Sequence, residues 1–164
     1  MSKISPCLWF VNDAEEAARF YVSLLPDSRI EHIMHSVADT PSGPAGSVLL
    51  VLFTLAGQSF QALNGGKAEQ HSNAVSFSID CADQAEVDRI WDRLCDGGTP
   101  IQCGWVNDRY GMPWQVVPSA LPRLLNDPDR AKAARVMQAM MQMVKLDVAE
   151  LQAAYDAADG DSAA

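Results

Sequence analysis

The sequence predicts an α+β fold made of two tandem β-α-β-β-β modules followed by C-terminal helices. Three observations lead to this prediction. One amphipathic segment occurs twice, with Asp13 and Asp83 at equivalent positions; an apolar run precedes each copy; and three shorter strand-like runs follow each copy. Internal repetition of this kind indicates a duplicated structural unit. We place the first module at 1–66, the second at 67–118 and a helical extension at 119–164, together forming one structural domain.

The duplicated segment is predicted to be a helix in both copies. Each copy starts with an Asp, has a Glu three residues later, and then carries an apolar stripe. The equivalent pairs are Asp13/Asp83, Glu16/Glu86, Arg19/Arg89, Phe20/Ile90, Tyr21/Trp91 and Leu24/Leu94. An Asp followed by a Glu at this spacing is typical of a helix N-terminus closed by a capping box. We therefore expect helices over 13–25 and 83–95, the second ended by Gly97 and Gly98.

Strands are predicted from apolar runs bounded by turn residues. In the first module they cover 4–11, 28–37, 47–56 and 59–63, and Asn64-Gly65-Gly66 ends the last of them. In the second module they cover 74–81, 99–103, 105–107 and 112–117. The run 74–81 alternates in character, with Val75, Phe77 and Ile79 on one side and Ala74, Ser76 and Ser78 on the other. Such alternation predicts that one face of the strand meets the second helix.

The C-terminal extension is predicted to contain two helices with a break between them. Asn126-Asp127-Pro128 is typical of a cap with proline at the first helical position. A methionine-rich stripe follows, consisting of Val136, Met137, Met140, Met141 and Val144. Asp147 with Glu150 forms another capping pair, so a break near Lys145 and a last helix carrying Val148, Leu151 and Tyr155 are expected. The stripe is more apolar than a solvent-facing helix tolerates, which predicts a homodimer.

Composition and charge exclude several classes of partner. The chain has 164 residues, a net charge of -9 and a pI near 4.6, which argues against binding to nucleic acid. An acidic surface leaves room for a cationic ligand, although it also serves solubility. No secretory pattern opens the chain, and no apolar run reaches the roughly 18 residues of a membrane span, so a cytoplasmic protein without membrane contact is expected.

The four cysteines do not form a recognisable redox or metal motif. Cys7, Cys81, Cys95 and Cys103 lack the C-x-x-C spacing. In a cytoplasmic chain, such cysteines are expected to be small buried hydrophobic residues. The role of Cys103, which precedes Gly104 and an aromatic-rich turn, is left open by the sequence.

Several segments resemble a known branch of a large superfamily. They are Phe60 to Gly66 (FQALNGG), Cys103 to Gly111 (CGWVNDRYG) with Trp114 to Pro118 (WQVVP), and Ala139 to Asp147 (AMMQMVKLD). The paired modules resemble the vicinal oxygen chelate superfamily, which includes glyoxalase I, extradiol dioxygenases and bleomycin-resistance proteins. The segments resemble its PhnB-like branch, whose domain is labelled demethylubiquinone 3-methyltransferase. The resemblance implies a curved mixed sheet with a cleft between the modules, formed within one chain or by swapping.

The resemblance also implies where a metal would bind. Enzymes of the superfamily place His, Gln or Glu ligands on the first and last strand of each module. Counted from the helix caps, these positions fall at Pro6, Gln61, near Ala74, and at Gln115. Two amides without His or carboxylate make a poor transition-metal site. We therefore expect no metal site and no cofactor.

The three histidines do not change this expectation. His32 and His35 lie three apart on a strand and are expected to point to opposite faces, whereas His71 lies in a loop. Each is interpreted as an ordinary surface or edge residue.

The remaining residues of the implied cleft predict a small-molecule site. An apolar pocket with a few convergent polar groups is the usual form of such a site. Gln115 is expected to face the cleft, with Trp114 and Val116 facing away. Arg109 either pairs with a ligand carboxylate or phosphate or is a turn residue bonded to Asp108 or solvent. The predicted ligand-binding residues are Leu8, Phe10, Gln61, Ser76, Ser78, Trp105, Arg109, Tyr110 and Gln115, with Ala74 beside them.

Two functions remain open at this point. The first is a metal-independent protein that binds a small hydrophobic or aromatic molecule. The alternative is a glyoxalase- or dioxygenase-like enzyme with a nonstandard metal site, although no Ser/His/Asp set or carboxylate pair identifies catalytic residues. Methyl transfer is disfavoured, because the usual S-adenosylmethionine fold needs a glycine-rich turn that opens a helix in a parallel sheet. Neither Gly65-Gly66 nor Gly97-Gly98 stands in that context. The identity of the ligand is not specified.

Overall fold

A computed structural model describes residues 3–157 of the chain, and its contacts divide it into two compact units, Met1–Gln70 and His71–Ala164. Each unit contains one mixed four-stranded sheet with a helix packed on one face. The predicted α+β class and the duplicated β-α-β-β-β order are confirmed. The C-terminal extension belongs to the second unit.

The first unit has its helix packed on a sheet of order β1-β4-β3-β2. β1 and β4 are parallel, and the other neighbours are antiparallel. Its core is aromatic: the ring centroid of Phe53 lies 6.3 Å from that of Tyr21 on the helix and 5.4 Å from that of Phe60. The elements are β1 (Cys7–Phe10), α1 (Ala14–Val22), β2 (Arg29–His35), β3 (Val48–Leu55) and β4 (Gln58–Asn64).

The second unit repeats this plan with a sheet of order β5-β8-β7-β6, in which β5 and β8 are parallel. Val87, Ile90 and Leu94 of its first helix are fully buried, as the apolar stripe predicted. The elements are β5 (Phe77–Cys81), α2 (Gln84–Cys95), β6 (Thr99–Pro100), β7 (Trp105–Asn107), β8 (Pro113–Pro118), α3 (Ala120–Leu125), α4 (Arg130–Gln142) and α5 (Val148–Asp156).

The two equivalent helices begin in different ways. In α2 the Asp83 cap is confirmed, since Asp83 accepts a hydrogen bond from the Glu86 amide at 2.9 Å. Glu86 reaches one residue beyond the cap amide that a capping box uses and accepts from the Ala82 amide at 2.8 Å. In α1 the prediction is wrong, because the Asp13 side chain makes no cap bond. The buried Asn64 replaces it, accepting from the Ala14 amide at 2.9 Å. A cap that comes from β4 leaves no local pattern at the helix start.

The C-terminal extension forms its own apolar cluster. The predicted break and the Asp147 cap of α5 are confirmed, with Asp147 accepting from the Glu150 amide at 2.9 Å. The start of α4 is corrected from Pro128 to Arg130, since Asp129 caps the helix and Asp127 accepts from the Asp129 amide instead. The buried members of the cluster are Leu121, Leu124, Val136, Met143, Leu146 and Leu151.

The extension is joined to the sheet through the two segments that resemble the PhnB-like branch most closely. The Cys103 and Gly104 amides donate to the Met143 and Val144 carbonyls, each at 2.8 Å. A Cβ added at Gly104 would lie 3.0 Å from the Leu146 side chain. These two sequence segments therefore have a shared structural role, which is to anchor the extension.

Candidate functional site

Each sheet has a face that its helix does not cover, which we call the helix-free face. In the first unit the register pairs Cys7 with Gln61 and Leu8 with Ala62. Leu8 and Ala62 are buried on the α1 side, so Cys7 and Gln61 lie on the helix-free face. Phe10, two residues after Leu8, is also buried in the core.

Two predicted site residues are therefore corrected. Leu8 and Phe10 pack under α1 and do not share a face with Gln61. On β1, Cys7 and Trp9 lie on the helix-free face. The run CLWF is apolar throughout, so alternation gave no indication of which residues face the helix.

Gln61 lies in a groove of about 890 Å³ in the first unit. Its side-chain Nε2 donates to Ser5 Oγ at 3.2 Å. The lining combines apolar surface with hydroxyl, amide and charged groups; it consists of Ser5, Asp27, Arg29, Glu31, Leu52, Phe53, Thr54, Gly57, Gln58, Ser59, Phe60 and Gln61. The predicted Gln61 thus stands in a concave surface with mixed chemistry.

In the second unit, four predicted site residues come together on the helix-free face. The register places Gln115 beside Ser78 on one side and Trp105 on the other. Gln115 Nε2 donates to Ser76 Oγ at 2.8 Å. Gln115 thus lies on the opposite side of β8 from Trp114 and Val116, as the alternation along the strand predicted.

The neighbours of Gln115 lie on the opposite face. Trp114 and Val116 are buried on the α2 side, and the ring of Trp114 lies 5.3 Å from that of Phe77. Val75 does not join Phe77 there as expected, because β5 begins at Phe77 and leaves Val75 69% exposed. Ala74, outside the strand, is exposed as well.

Arg109 is directed to the end of α2. Its Nη2 lies 2.5 Å from Asp96 Oδ2, at the C-terminal end of the helix that covers the other face of the sheet. It therefore pairs within the protein, with Asp96. Tyr110 follows in the same turn, and its amide donates to Asp108 Oδ1 at 2.8 Å.

Asp108 organises this turn from a buried position. Only 4% of the residue is exposed. Its Oδ1 accepts from the Tyr110 and Met112 amides at 2.8 and 3.0 Å, and its Oδ2 accepts from Trp114 Nε1 at 2.9 Å. From the sequence, Asp108 was expected only to belong to a turn, because no local sequence pattern predicts its hydrogen bond to the indole of Trp114.

The Ser–Gln pair occurs in both units at equivalent positions. Ser5 and Ser76 each stand two residues before the residue that pairs with the glutamine, which is Cys7 for Gln61 and Ser78 for Gln115. The side chains bonded to the glutamines are thus those of Ser5 and Ser76, next to or near Pro6 and Ala74, where the resemblance implied metal ligands. Pro6 shares the phase of Leu8, and its carbonyl accepts from the Gln61 amide at 2.9 Å.

The corrected donor set does not suit a transition metal. Ser hydroxyls and Gln amides are neutral, and such metals favour thiolate, imidazole or carboxylate ligands. Among residues 3–157, no group of three or more His, Cys, Asp or Glu side chains is placed to hold a metal. His35 is bound to the backbone, with Nδ1 2.9 Å from the Gly46 carbonyl oxygen.

The cysteines are less uniformly buried than the sequence suggested. Cys81 is fully buried, Cys95 and Cys103 are half-buried, and Cys7 is exposed. Burial raises the pKa of the Cys81 thiol to about 12, and the nearby Glu86 carboxylate adds to the shift. A thiol held in this form is a poor nucleophile at neutral pH.

We therefore expect Cys81 to be unreactive in the folded protein. Titration with Ellman's reagent at pH 8 should give the same number of fast thiols for the wild type and for Cys81→Ala. After denaturation, the wild type should show one thiol more than the variant. A fast thiol lost on the substitution under native conditions would contradict the burial of Cys81.

Comparison with known proteins identifies the family. A sequence model of the family described as 3-demethylubiquinone-9 3-methyltransferase matches residues 2–117. A Bacillus cereus PhnB protein that carries this description is 31% identical; the match covers 72% of this chain and 100% of that one, with a TM-score of 0.66. The chain belongs to this PhnB-like family, and the resemblance read from the sequence is confirmed. A comparison with curated proteins gives no significant match.

A more distant structure shares the fold, and others show a weaker similarity. Protein PA1353 from Pseudomonas aeruginosa is 22% identical over 72% of this chain and 98% of that one, with a TM-score of 0.58. A glyoxalase/bleomycin resistance protein from Albidiferax ferrireducens is 17% identical over 71% and 98%, with a TM-score of 0.45. Within the described part of the chain, no helix is both long and apolar enough to cross a membrane.

Proposed function

We propose that this protein binds a small hydrophobic or aromatic molecule without a metal. The observation that carries the proposal is the Ser–Gln pair repeated in both units, Ser5–Gln61 and Ser76–Gln115; Gln61 and Gln115 are the two positions at which the resemblance to the superfamily implies side chains that could act as ligands. These groups donate and accept hydrogen bonds but carry no charge for a metal ion. Amides and hydroxyls in partly apolar surroundings are suited to fixing the polar end of a small organic ligand.

The groove around Gln61 supports the same ligand class. Leu52, which pairs with Gln61, supplies apolar surface to it, while Thr54, Ser59 and Gln61 supply hydrogen-bonding groups. In the second unit, Gln115 lies beside the indole of Trp105. An aromatic side chain next to an amide favours a flat apolar ligand that carries one or two polar substituents.

The family label of methyltransferase does not agree with the topology. A Rossmann-type S-adenosylmethionine site needs a doubly wound parallel sheet whose strand ends meet a glycine-rich turn. Among residues 3–157, each sheet has a single parallel pair, β1–β4 or β5–β8, and its other neighbours are antiparallel. We therefore do not include methyl transfer in the proposal.

Elemental analysis of protein purified without chelator tests the metal-independent part. We expect substoichiometric zinc, iron, nickel and manganese, since the donor set is neutral. Stoichiometric metal that is lost in a Gln61→Ala, Gln115→Ala double variant would favour the glyoxalase- or dioxygenase-like enzyme instead. A screen of small aromatic compounds by thermal shift would then identify ligands, because binding raises apparent stability by mass action.

Replacing either glutamine should weaken ligand binding more than it weakens the fold. Gln61→Ala and Gln115→Ala are each expected to reduce the binding free energy of a ligand from that screen by about 1–3 kcal/mol, because a buried polar group loses its partner. Both glutamines are half-exposed, so in the ligand-free variants water can occupy the space left by the truncated side chain and bond to its former partner. Isothermal titration and urea unfolding measure the two effects.

The matched control is Phe53→Ala in the core of the first unit. Phe53 is 1% exposed, and truncation of such a ring typically costs about 3–5 kcal/mol of stability. If the glutamine variants unfold as easily as Phe53→Ala, both side chains are structural and the small-molecule proposal fails.

We also propose that the protein is a homodimer. Of the methionine-rich stripe, Val136 is buried and Met140 packs on the cluster of the extension. Met137, Met141 and Val144 remain 41%, 52% and 47% exposed. Sedimentation at micromolar concentration should give a species of twice the 17.8 kDa chain mass. Met137→Lys with Met141→Lys should convert it to monomer, and a wild type found only as a monomer would contradict the proposal.

A further inference from the structure

We propose that the groove of the first unit binds an organic cation, an ammonium or guanidinium group attached to an apolar body, with Glu31 as the residue that receives the positive charge. The inference rests on the proposed small-molecule function and names the ligand class for that groove. It depends on the placement of Glu31, on its hydrogen bonds and on the charge of the groove.

A β-bulge places Glu31 in the groove. Across β2 and β3 the register pairs Ile30 with Phe53 and His32 with Leu52, so Glu31 is an extra residue without a partner on β3. Bulges of this kind redirect a side chain and are common next to binding sites. Here the carboxylate reaches Thr54, which pairs with Arg29 at the start of the strand.

The hydrogen bonds of Glu31 use only one of its two oxygens. Thr54 Oγ1 donates to Glu31 Oε1 at 2.6 Å, and Arg29 Nη2 lies 2.8 Å from the same oxygen. Within residues 3–157, no donor contacts Oε2. The Glu31 side chain is 40% exposed, so the carboxylate is not sealed off by its two partners.

The charge of the groove favours a cation. Its ionisable lining residues are Asp27, Arg29 and Glu31, which give two carboxylates and one guanidinium. The hydrogen bond from Thr54, together with Arg29, holds the pKa of Glu31 below its usual value, so the carboxylate is charged at neutral pH. The net charge of -9 on the chain raises the local concentration of cations further.

The rest of the lining distinguishes an organic cation from a bare metal ion. A hard divalent ion needs six or more oxygen ligands, and the groove offers two carboxylates, one of them already bound to Arg29. An ammonium group needs only one or two acceptors, while the half-buried Leu52, which pairs with Gln61, offers apolar surface to the body of the ligand. The cation and the apolar body are thus matched by different parts of one groove.

Three probes with the same body and different heads test the ligand class. They are 1-naphthylmethylamine, 1-naphthalenemethanol and 1-naphthoate, titrated calorimetrically at low ionic strength and pH 7. We expect the amine to bind about tenfold more tightly than the alcohol, because a hydrogen bond to a charged group is stronger than a neutral one, and the naphthoate to bind most weakly.

Two variants test the assignment to Glu31. Glu31→Gln should remove the preference for the amine over the alcohol and leave the affinity for the alcohol within about twofold. Glu69→Gln is the control: it makes the same change of charge at an exposed glutamate paired with Lys67, outside the groove lining, and should keep the preference. Thermal unfolding of both variants verifies that they are folded.

The outcomes separate this inference from the function on which it rests. If the alcohol binds as tightly as the amine, the small-molecule function stands and the cation class is wrong. If Glu31→Gln keeps the preference, the assignment to Glu31 is wrong. If none of the three probes binds, the groove does not hold small aromatic molecules, and the inference fails together with the proposed function.

Discussion

Asp108→Ala is expected to lower the free energy of unfolding of the second unit by about 3–6 kcal/mol. The substitution leaves three donors without their acceptor: the Tyr110 amide, the Met112 amide and the indole N–H of Trp114. Each buried donor without a partner costs about 1–3 kcal/mol. Trp114 is only 1% exposed, so water cannot replace the carboxylate at its indole without moving the ring.

Asp108→Asn separates the turn from the indole contact. The amide oxygen of Asn can accept from the two backbone amides, whereas its NH2 group would face the donor Nε1 of Trp114. We expect a smaller loss, about 1–3 kcal/mol. Urea unfolding followed by tryptophan fluorescence measures both variants, and Asp92→Ala, an exposed position on α2, is the control. A loss below about 1 kcal/mol for Asp108→Ala would show that the turn is held by other contacts.

The fold could be predicted because its main signals are local and repeated. Apolar spacing identified both helices, and their duplication predicted the order of helices and strands along the chain without any knowledge of long-range contacts. The predictions failed where the partner lies far along the chain. The Asn64 cap of α1 comes from a residue 50 positions away, and the capping residue that the local pattern indicated, Asp13, makes no cap bond.

The candidate site was predictable in one unit and less so in the other. Around Gln115, Ser76 and Ser78 alternate with apolar neighbours, so the phase of the strand was visible in the sequence. In β1 all four residues are apolar, and the phase depends on pairing with β4. For the same reason, counting from the helix cap did not predict that Ser5 is the residue whose side chain contacts Gln61.

Charged residues were the hardest to place. Arg109 looked available from the sequence because its partner, Asp96, is 13 residues away at the end of another element. Glu31 was not among the predicted site residues, because the β-bulge at this position follows only from the register across β2 and β3. Ion pairs and bulges depend on pairing between distant segments, and no local pattern records them.

Gly98→Ala is expected to destabilise the second unit by about 3 kcal/mol or more, although the backbone at this position is not in the left-handed region. A Cβ at Gly98 would lie 2.3 Å from the Leu94 carbonyl oxygen and 2.6 Å from the Asn107 carbonyl oxygen. Both atoms belong to the backbone, of α2 and β7 respectively, and cannot rotate aside as a side chain could. Overpacking a well-filled site typically costs about 1–3 kcal/mol, and rigid neighbours bring the cost to the upper end or beyond.

Gly111→Ala is the matched control, because it adds the same methyl group in open space. Gly111 has φ of 79°, so alanine there is strained by about 1–2 kcal/mol, but its Cβ meets nothing within 4 Å. Urea unfolding should therefore rank Gly98→Ala as clearly less stable than Gly111→Ala. Equal losses would mean that the end of α2 can move away from β7 at little cost. In that case the close approach at Gly98 would not be what fixes the helix against the sheet, and the buried Val87, Ile90 and Leu94 side chains of α2 would remain as the contacts that do.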